Sequence, residues 1–218
     1  MLIASSCTCS TGIHASKTVN NILSWTQMNN LPKDVLTNIP PDLPVPEDDG
    51  ACDHLIDAPM PDIELTSTSG SPINLARETG WIVIYCYPMT GRPDRAIPDG
   101  WVAIPGAAGC TPQACAFRDH HEQLASLGVR VFGMSAQTTE DQAEAARRLH
   151  LPYGLLSDHA FLFAQALGLP TFEAGGMRLL KRVTLIVKNG TIVKYFYPVF
   201  PPDNNANEVL AWLKTQPV

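Results

Sequence analysis

Apolar and polar residues alternate over residues 63–66 and again over 70–75, the pattern of a short edge hairpin. The next apolar run differs in kind. Residues 81–87, Trp-Ile-Val-Ile-Tyr-Cys-Tyr, are apolar on both alternating faces, which predicts a central strand covered by helices on both sides. On that strand Cys86 shares a face with Ile82 and Ile84 and reads as core. After a long Gly/Pro-rich loop, residues 113–127 read as helix, 129–134 as strand and 140–149 as helix; a short strand near Leu155 and a helix over 161–167 follow. Residues 183–187 and 191–196 flank Asn189-Gly190, the pair that best specifies a tight hairpin, and 205–213 reads as a closing helix. Strands alternating with helices, ending in an antiparallel hairpin plus a helix, predict a three-layer α/β domain with a central mixed sheet flanked by helices.

That element order is thioredoxin-like, and it begins only after a long lead-in. Residues 1–30 contain no acidic residue, five Ser, four Thr and a Cys7-Thr8-Cys9 triplet, followed by a weakly amphipathic stretch over 19–28. They read as a poorly ordered extension or a short helix. The lack of acids favours an organellar transit sequence, whereas the absence of arginine before Arg77 opposes one. Residues 32–72 hold 8 of the 19 prolines, which suits a linker and neither helix nor central strand. The division is therefore an extension and Pro-rich lead-in over 1–50 and one domain over 51–218, reasonable for 218 residues. With 45% hydrophobic and 17% charged residues the chain is not of the disordered, highly charged class. A net charge of -6 is the wrong sign for a nucleic-acid binder. No apolar run approaches the roughly 18 residues of a membrane span.

Six cysteines are too sparse for a disulfide-held mini-scaffold, so position matters more than number. Cys110 follows Pro105-Gly106-Ala107-Ala108-Gly109 and precedes Thr111-Pro112, where Thr suits an N-cap and Pro the first helical position. Cys110 thus stands at a helix N-terminus, where unpaired N–H groups and the helix dipole favour a thiolate, the nucleophilic form of the side chain. Cys115 lies five residues on. In an ideal helix the two Cα atoms are ~8.7 Å apart, and a disulfide tolerates at most about 6.8 Å. A bond between them requires the first helical turn to unwind. The alternative for Cys115, flanked by Ala114, Ala116 and Phe117, is a small buried hydrophobe.

The block Gly109-Cys110-Thr111-Pro112-Gln113-Ala114-Cys115-Ala116-Phe117-Arg118-Asp119 resembles the active-site helix of Q-type peroxiredoxins, also called bacterioferritin comigratory proteins, whose pattern is G-C-T-x-x-A-C-x-F-R-D. The resemblance covers about residues 52–216 and includes Tyr85-Cys86-Tyr87-Pro88, Leu155-Leu156-Ser157-Asp158 and the Lys181-Arg182-Val183-Thr184 strand start. It implies a thioredoxin-like redoxin fold and a thiol peroxidase acting on hydrogen peroxide or organic hydroperoxides. Cys110 would attack the peroxide, Cys115 would resolve the sulfenic acid to an intramolecular disulfide, and thioredoxin or a similar dithiol would reduce it. The family's active-site arginine falls on Arg182, with Lys181 beside it as competitor. An arginine there would hold the thiolate and the charge developing on peroxide oxygen. No cofactor is implied, and the assembly would be a monomer or homodimer.

The chain departs from the family's P-x-x-x-T-x-x-C pattern: Ala107 stands where the threonine belongs and Ala103 where the proline belongs. Pro88 ends its strand as the family's proline does but lies 22 positions before Cys110, so about fifteen residues, 89–103, are inserted in the active-site loop. Thr90 is the candidate to supply the missing hydroxyl. Pro105-Gly106-Ala107 is similar to the P-G-A loop of another peroxiredoxin subgroup, which would make Pro105 the shield of the thiolate. Pro105, Gly109, Thr111 and Thr90 are therefore the expected peroxide-binding residues beside Cys110, Cys115 and Arg182.

Other groups carry weaker readings. Cys7, Cys9 and His14 lack a fourth metal ligand, and Cys52-Asp53-His54 reads as a surface loop. His120 and His121 read as solvated. Gly133-Met134-Ser135-Ala136-Gln137 misses the serine-hydrolase elbow by its last residue. The rival functions are a general thiol-disulfide oxidoreductase, whose usual C-x-x-C is replaced here by C-x-x-x-x-C, a non-catalytic redoxin domain that senses peroxide, and a copper carrier. Cytoplasm is the expected compartment because reactive thiols persist there, with organellar targeting left open.

Overall fold

A computed structural model describes residue 39 and residues 42–216, and the extension expected over residues 1–30, with Cys7, Cys9 and His14, lies outside them. The strands are β1 (Glu64–Ser67), β2 (Ile73–Asn74), β3 (Trp81–Cys86), β4 (Val129–Ser135), β5 (Leu155–Ser157), β6 (Thr171–Ala174), β7 (Met177–Leu180), β8 (Val183–Lys188) and β9 (Thr191–Phe196). The helices are α1 (Cys110–Asp119), α2 (His121–Ser126), α3 (Thr139–Arg148), α4 (Leu162–Leu167) and α5 (Asn205–Leu213). Seven strands form one mixed sheet in the order β2-β1-β5-β4-β3-β8-β9. The pairs β3–β4 and β4–β5 are parallel, while β8 runs antiparallel to both β3 and β9.

The alternation within β3 divides the core in two. Ile82, Ile84 and Cys86 join Leu55, Phe163 and Leu167 on one face. Val83 and Tyr85 join Phe117 of α1, Leu124 of α2, Ala145 of α3 and Leu210 of α5 on the other. This is the three-layer thioredoxin-like architecture the pattern predicts, with the hairpin around Asn189-Gly190 in place. Helix α3 shows why these segments coil: Thr138 caps it by accepting from the Asp141 N–H at 3.2 Å, acids fill its first turn, and Arg147 and Arg148 its last.

Three expectations change. The single helix read over 113–127 begins three residues earlier and divides at His120, whose backbone, at φ -99° and ψ 2°, leaves the helical range. Cys52 is not in a surface loop: the turn Asp53–Leu55 tucks Cys52 and Leu55 fully under the sheet, and burial pushes the Cys52 thiol up to about 12. The hairpin β6–β7, which turns at Gly175 and Gly176 with φ 56° and 73°, went unread although a Gly-Gly pair between short strands is itself a turn signal.

Gly133 sits opposite both Tyr85 and Leu155 in the parallel ladders, and their side chains close over it. A Cβ there would lie 2.6 Å from Tyr85 Cζ and 2.6 Å from Leu155 Cδ2. We expect Gly133→Ala to destabilise the fold by about 2 kcal/mol, lowering Tm by ~4–8 °C. Thermal unfolding with an unchanged Tm would contradict this packing.

Candidate active site

The alternation of β8 continues back to Arg182. Val183, Leu185 and Val187 point into the β3 face that holds Ile82, whereas Ile186 packs in the cluster that contains Cys110. Arg182 and Thr184 therefore face α1. Helix α1 starts at Cys110, not after it: Gly109, at φ 96°, is the cap, and Thr111 and Pro112 are the second and third helical residues. The first helical hydrogen bond runs from the Gln113 N–H to the Gly109 carbonyl at 3.1 Å. The N–H groups of Cys110 and Thr111 thus lack an intrahelical acceptor, and Pro112 has no N–H to leave unpaired. Only glycine fits at 109, since a Cβ would stand 2.3 Å from Pro202 Cγ as well as at a left-handed φ.

Arg182 is 3% exposed, and its Nη2 donates to Cys110 Sγ at 3.2 Å. The same nitrogen lies 3.0 Å from the Ala108 carbonyl and 3.3 Å from those of Gly106 and Ala107. Its Nη1 donates to Gln113 Oε1. Gln113 Nε2 in turn donates to Asn205 Oδ1 at 3.0 Å, and the Thr184 hydroxyl donates to the same oxygen at 2.6 Å. Gln113, Asn205 and Thr184 are all fully buried. Sequence reasoning missed this support, because Gln113 and Asn205 are 92 positions apart and carry no motif between them. Lys181 is no rival to Arg182: its Nζ pairs with Asp49 at 2.6 Å, and this contact and the Tyr197 hydroxyl hold the Asp49 carboxyl down at about 2.

The remaining expected residues divide. Thr111 is buried and, with Gly109, lines a space of about 30 Å³ at Cys110, roughly one water's volume. Met89, Ile97 and Trp101 of the 89–103 insertion cover that space. The structure does not bring Thr90 to the sulfur. Its N–H and hydroxyl both donate to Gln137 Oε1, at 2.8 and 3.2 Å, and Gln137 Nε2 donates back to the Thr90 carbonyl, so the clamp consumes the hydroxyl. Nor does Pro105 shield the thiol. It is exposed and lines a cavity of about 430 Å³ on the Lys181 side, and the insertion takes the shielding role.

Cys115 is half-buried on α1, in the same unbroken helix as Cys110. Burial raises its thiol above the ordinary value, with Arg118 opposing that rise. Below it the helix is fixed to the sheet: the Phe117 and Tyr85 rings stack at 4.7 Å, and the Tyr153 hydroxyl donates to the Ala114 carbonyl at 2.8 Å. Among the described residues, no group of three or more His, Cys, Asp or Glu side chains is placed to hold a metal, and no helix is long and apolar enough to cross a membrane. His120 is half-buried rather than solvated.

Comparison with known proteins gives this geometry its context. Residues 56–210 match the Redoxin family. The chain is 31% identical over 157 residues to a chloroplastic peroxiredoxin Q of Sedum lineare, covering 71% of this chain and 75% of that one. It is 32% identical over 156 residues to the chloroplastic peroxiredoxin Q of Arabidopsis thaliana, of whose length it spans 64%. Among solved structures, peroxidoxin BcpB of Mycobacterium tuberculosis superposes with a TM-score of 0.61 at 24% identity, over 75% of this chain and 98% of that one. A Xanthomonas campestris bacterioferritin comigratory protein, described for its alkyl peroxide reduction activity, gives 0.54 at 20% identity, over 79% and 98%. The fold agrees with both structures, and the chain belongs to the redoxin family and, within it, to the Q-type peroxiredoxins.

Proposed function

We propose that this chain is a thiol peroxidase in which Cys110 attacks hydrogen peroxide or an organic hydroperoxide and Cys115 resolves the product. The observation that carries the reading is the buried Arg182 guanidinium donating to Cys110 Sγ at 3.2 Å at a helix start. The cation and the free N–H groups of the first turn favour negative charge on sulfur and on the oxygen released as the O–O bond breaks.

In the first step the Cys110 thiolate attacks the terminal peroxide oxygen; the S–O bond forms, the O–O bond breaks, and with one proton the products are a Cys110 sulfenic acid and ROH, or water from hydrogen peroxide. Sulfur is oxidised and peroxide reduced by two electrons. In the second step Cys115 sulfur attacks Cys110 sulfur, releasing water and leaving a disulfide. A thioredoxin-type dithiol then reduces that disulfide by exchange and is itself oxidised. Gly109 and Thr111 line the peroxide's entry, with Gln113 holding Arg182 in position. The alkyl peroxide reduction described for the Xanthomonas protein is carried over here as substrate class.

For the compartment, a reducing environment suits the four free thiols among the described residues: cytoplasm, or the organelle interior that the chloroplastic relatives and an acid-free residue 1–30 segment favour.

Replacing Cys110→Ser should abolish thioredoxin-coupled peroxide consumption, and Arg182→Gln should lower kcat/KM by about 10²–10³ with the fold intact by circular dichroism. Near wild-type turnover in either would overturn the assignment.

The resolution step carries a pH signature. Resolution needs the Cys115 thiolate, and burial raises that thiol above the ordinary value, about 8.5. Single-turnover disulfide formation after one equivalent of peroxide should accelerate as pH rises through and above about 8.5, and vanish in Cys115→Ser, which should retain a Cys110 sulfenic acid. A flat profile, or a disulfide to another cysteine, would sink this step.

A further inference from the structure

Between the insertion and the β6–β7 hairpin lies a further cavity of about 660 Å³, a size that buries a small organic molecule. Its apolar wall comprises Met89, Ile97, Pro98, Phe161, Met177 and Leu179. Met89, Gly91 and Ile97 line both this cavity and the small space at Cys110, so the insertion's own residues are the partition between them.

The cavity is also cationic in one particular place. Arg92 is neutralised between Asp94 and Asp141, and Arg95 also lies on Asp141. Arg178 is not neutralised in this way. Its Nε donates only to the Thr171 hydroxyl at 3.3 Å, and its guanidinium lies 4.7 Å over the Phe161 ring. Glu173, its cross-strand partner, forms no ion pair with it, and among the described residues no carboxylate does. An apolar chamber thus carries one exposed, unpaired guanidinium, the donor fork that best fits a carboxylate.

We propose that this chamber binds the apolar chain of an amphipathic carboxylate, with Arg178 on the acid end, and so selects hydroperoxides of that class for Cys110. The substrate half of this statement rests on the peroxidase reading above; the binding half does not.

Calorimetric titration of the full chain with decanoate, and with 1-decanol as the uncharged probe of the same length, tests the binding half. Decanoate should bind one to one and more tightly than the alcohol. Arg178→Gln, an exposed position with its Tm checked, should weaken decanoate about tenfold while changing the alcohol less than twofold. Ile97→Asp should weaken both. Absence of saturable decanoate binding, equal affinity for acid and alcohol, or an unaffected Arg178→Gln overturns the proposal. The substrate half is read from kcat/KM for a long-chain carboxylate hydroperoxide relative to cumene hydroperoxide, a ratio that Arg178→Gln should reduce about tenfold. Decanoate binding without turnover of any peroxide would remove the peroxidase reading and leave the chamber standing. Turnover without decanoate binding would do the reverse.

Discussion

A guanidinium buried to 3% exposure, with no carboxylate paired to it among the described residues, is the constraint on which this structure turns. Burying an unpaired charge costs several kcal/mol unless its donors are satisfied. The partners of Arg182 are the carbonyls of Gly106, Ala107 and Ala108, the Gln113 amide and the Cys110 sulfur. The carbonyls and the amide are neutral, so they serve Nη1 and Nη2 without cancelling the charge, while the buried Nε has no hydrogen-bond partner among the described residues. That charge is left for sulfur. The loop pays for the arrangement in sequence freedom: turning three successive carbonyls inward uses Gly106 at φ 76° and Gly109 at φ 96°, with alanines between. Gln113 must then lie in the first turn of α1, and Asn205 must open α5 where it can hold Gln113.

The same contacts set the two chemical steps against each other. For Cys110 and Cys115 to bond, the first turn must unwind, and the bond it breaks first is the one from the Gln113 N–H to Gly109. Moving Gln113 also releases Arg182. In the proposed reaction, the arrangement that activates sulfur toward peroxide is therefore dismantled once sulfur is oxidised and no longer needs it. What confines the change to the first turn is the rear of the helix, where Phe117 stacks on Tyr85 and the Tyr153 hydroxyl holds the Ala114 carbonyl.

How much of this could be read from the sequence depends on whether the determining contact is local. The two-faced run of β3 and the Asn189-Gly190 turn are local patterns, and both elements stand where the pattern puts them. The eleven residues from Gly109 to Asp119 mark the thiols, and an arginine before a strand marks Arg182. The break at His120 was not legible, because it is one residue's departure from helical angles inside a run whose pattern continues on both sides. Thr90 looked available because nothing within the insertion reveals that Gln137, 47 positions on, will take its hydroxyl. Cys52 is polar in its neighbours and apolar in its place, since burial there is decided by Leu55 and the underside of the sheet.

Ala107 and the insertion belong to one solution. With alanine at 107 no hydroxyl is available three residues before Cys110, and Cys110 Sγ instead lies 3.5 Å from the Ala107 carbonyl. A missing donor weakens charge stabilisation least where water is scarce and the remaining electrostatics act at short range. The insertion supplies that condition: Trp101, itself 6% exposed and packed on Phe172, combines with Met89 and Ile97 to leave Cys110 only 4% exposed in a space of about 30 Å³. Docking is secured outside the apolar contact by Arg92 on Asp141 and by Arg148 on the Gly91 carbonyl. In place of a hydroxyl the chain has an apolar cover. Met89 and Ile97, which close that cover, are also the residues that separate the Cys110 space from the larger chamber, so the one insertion shapes both.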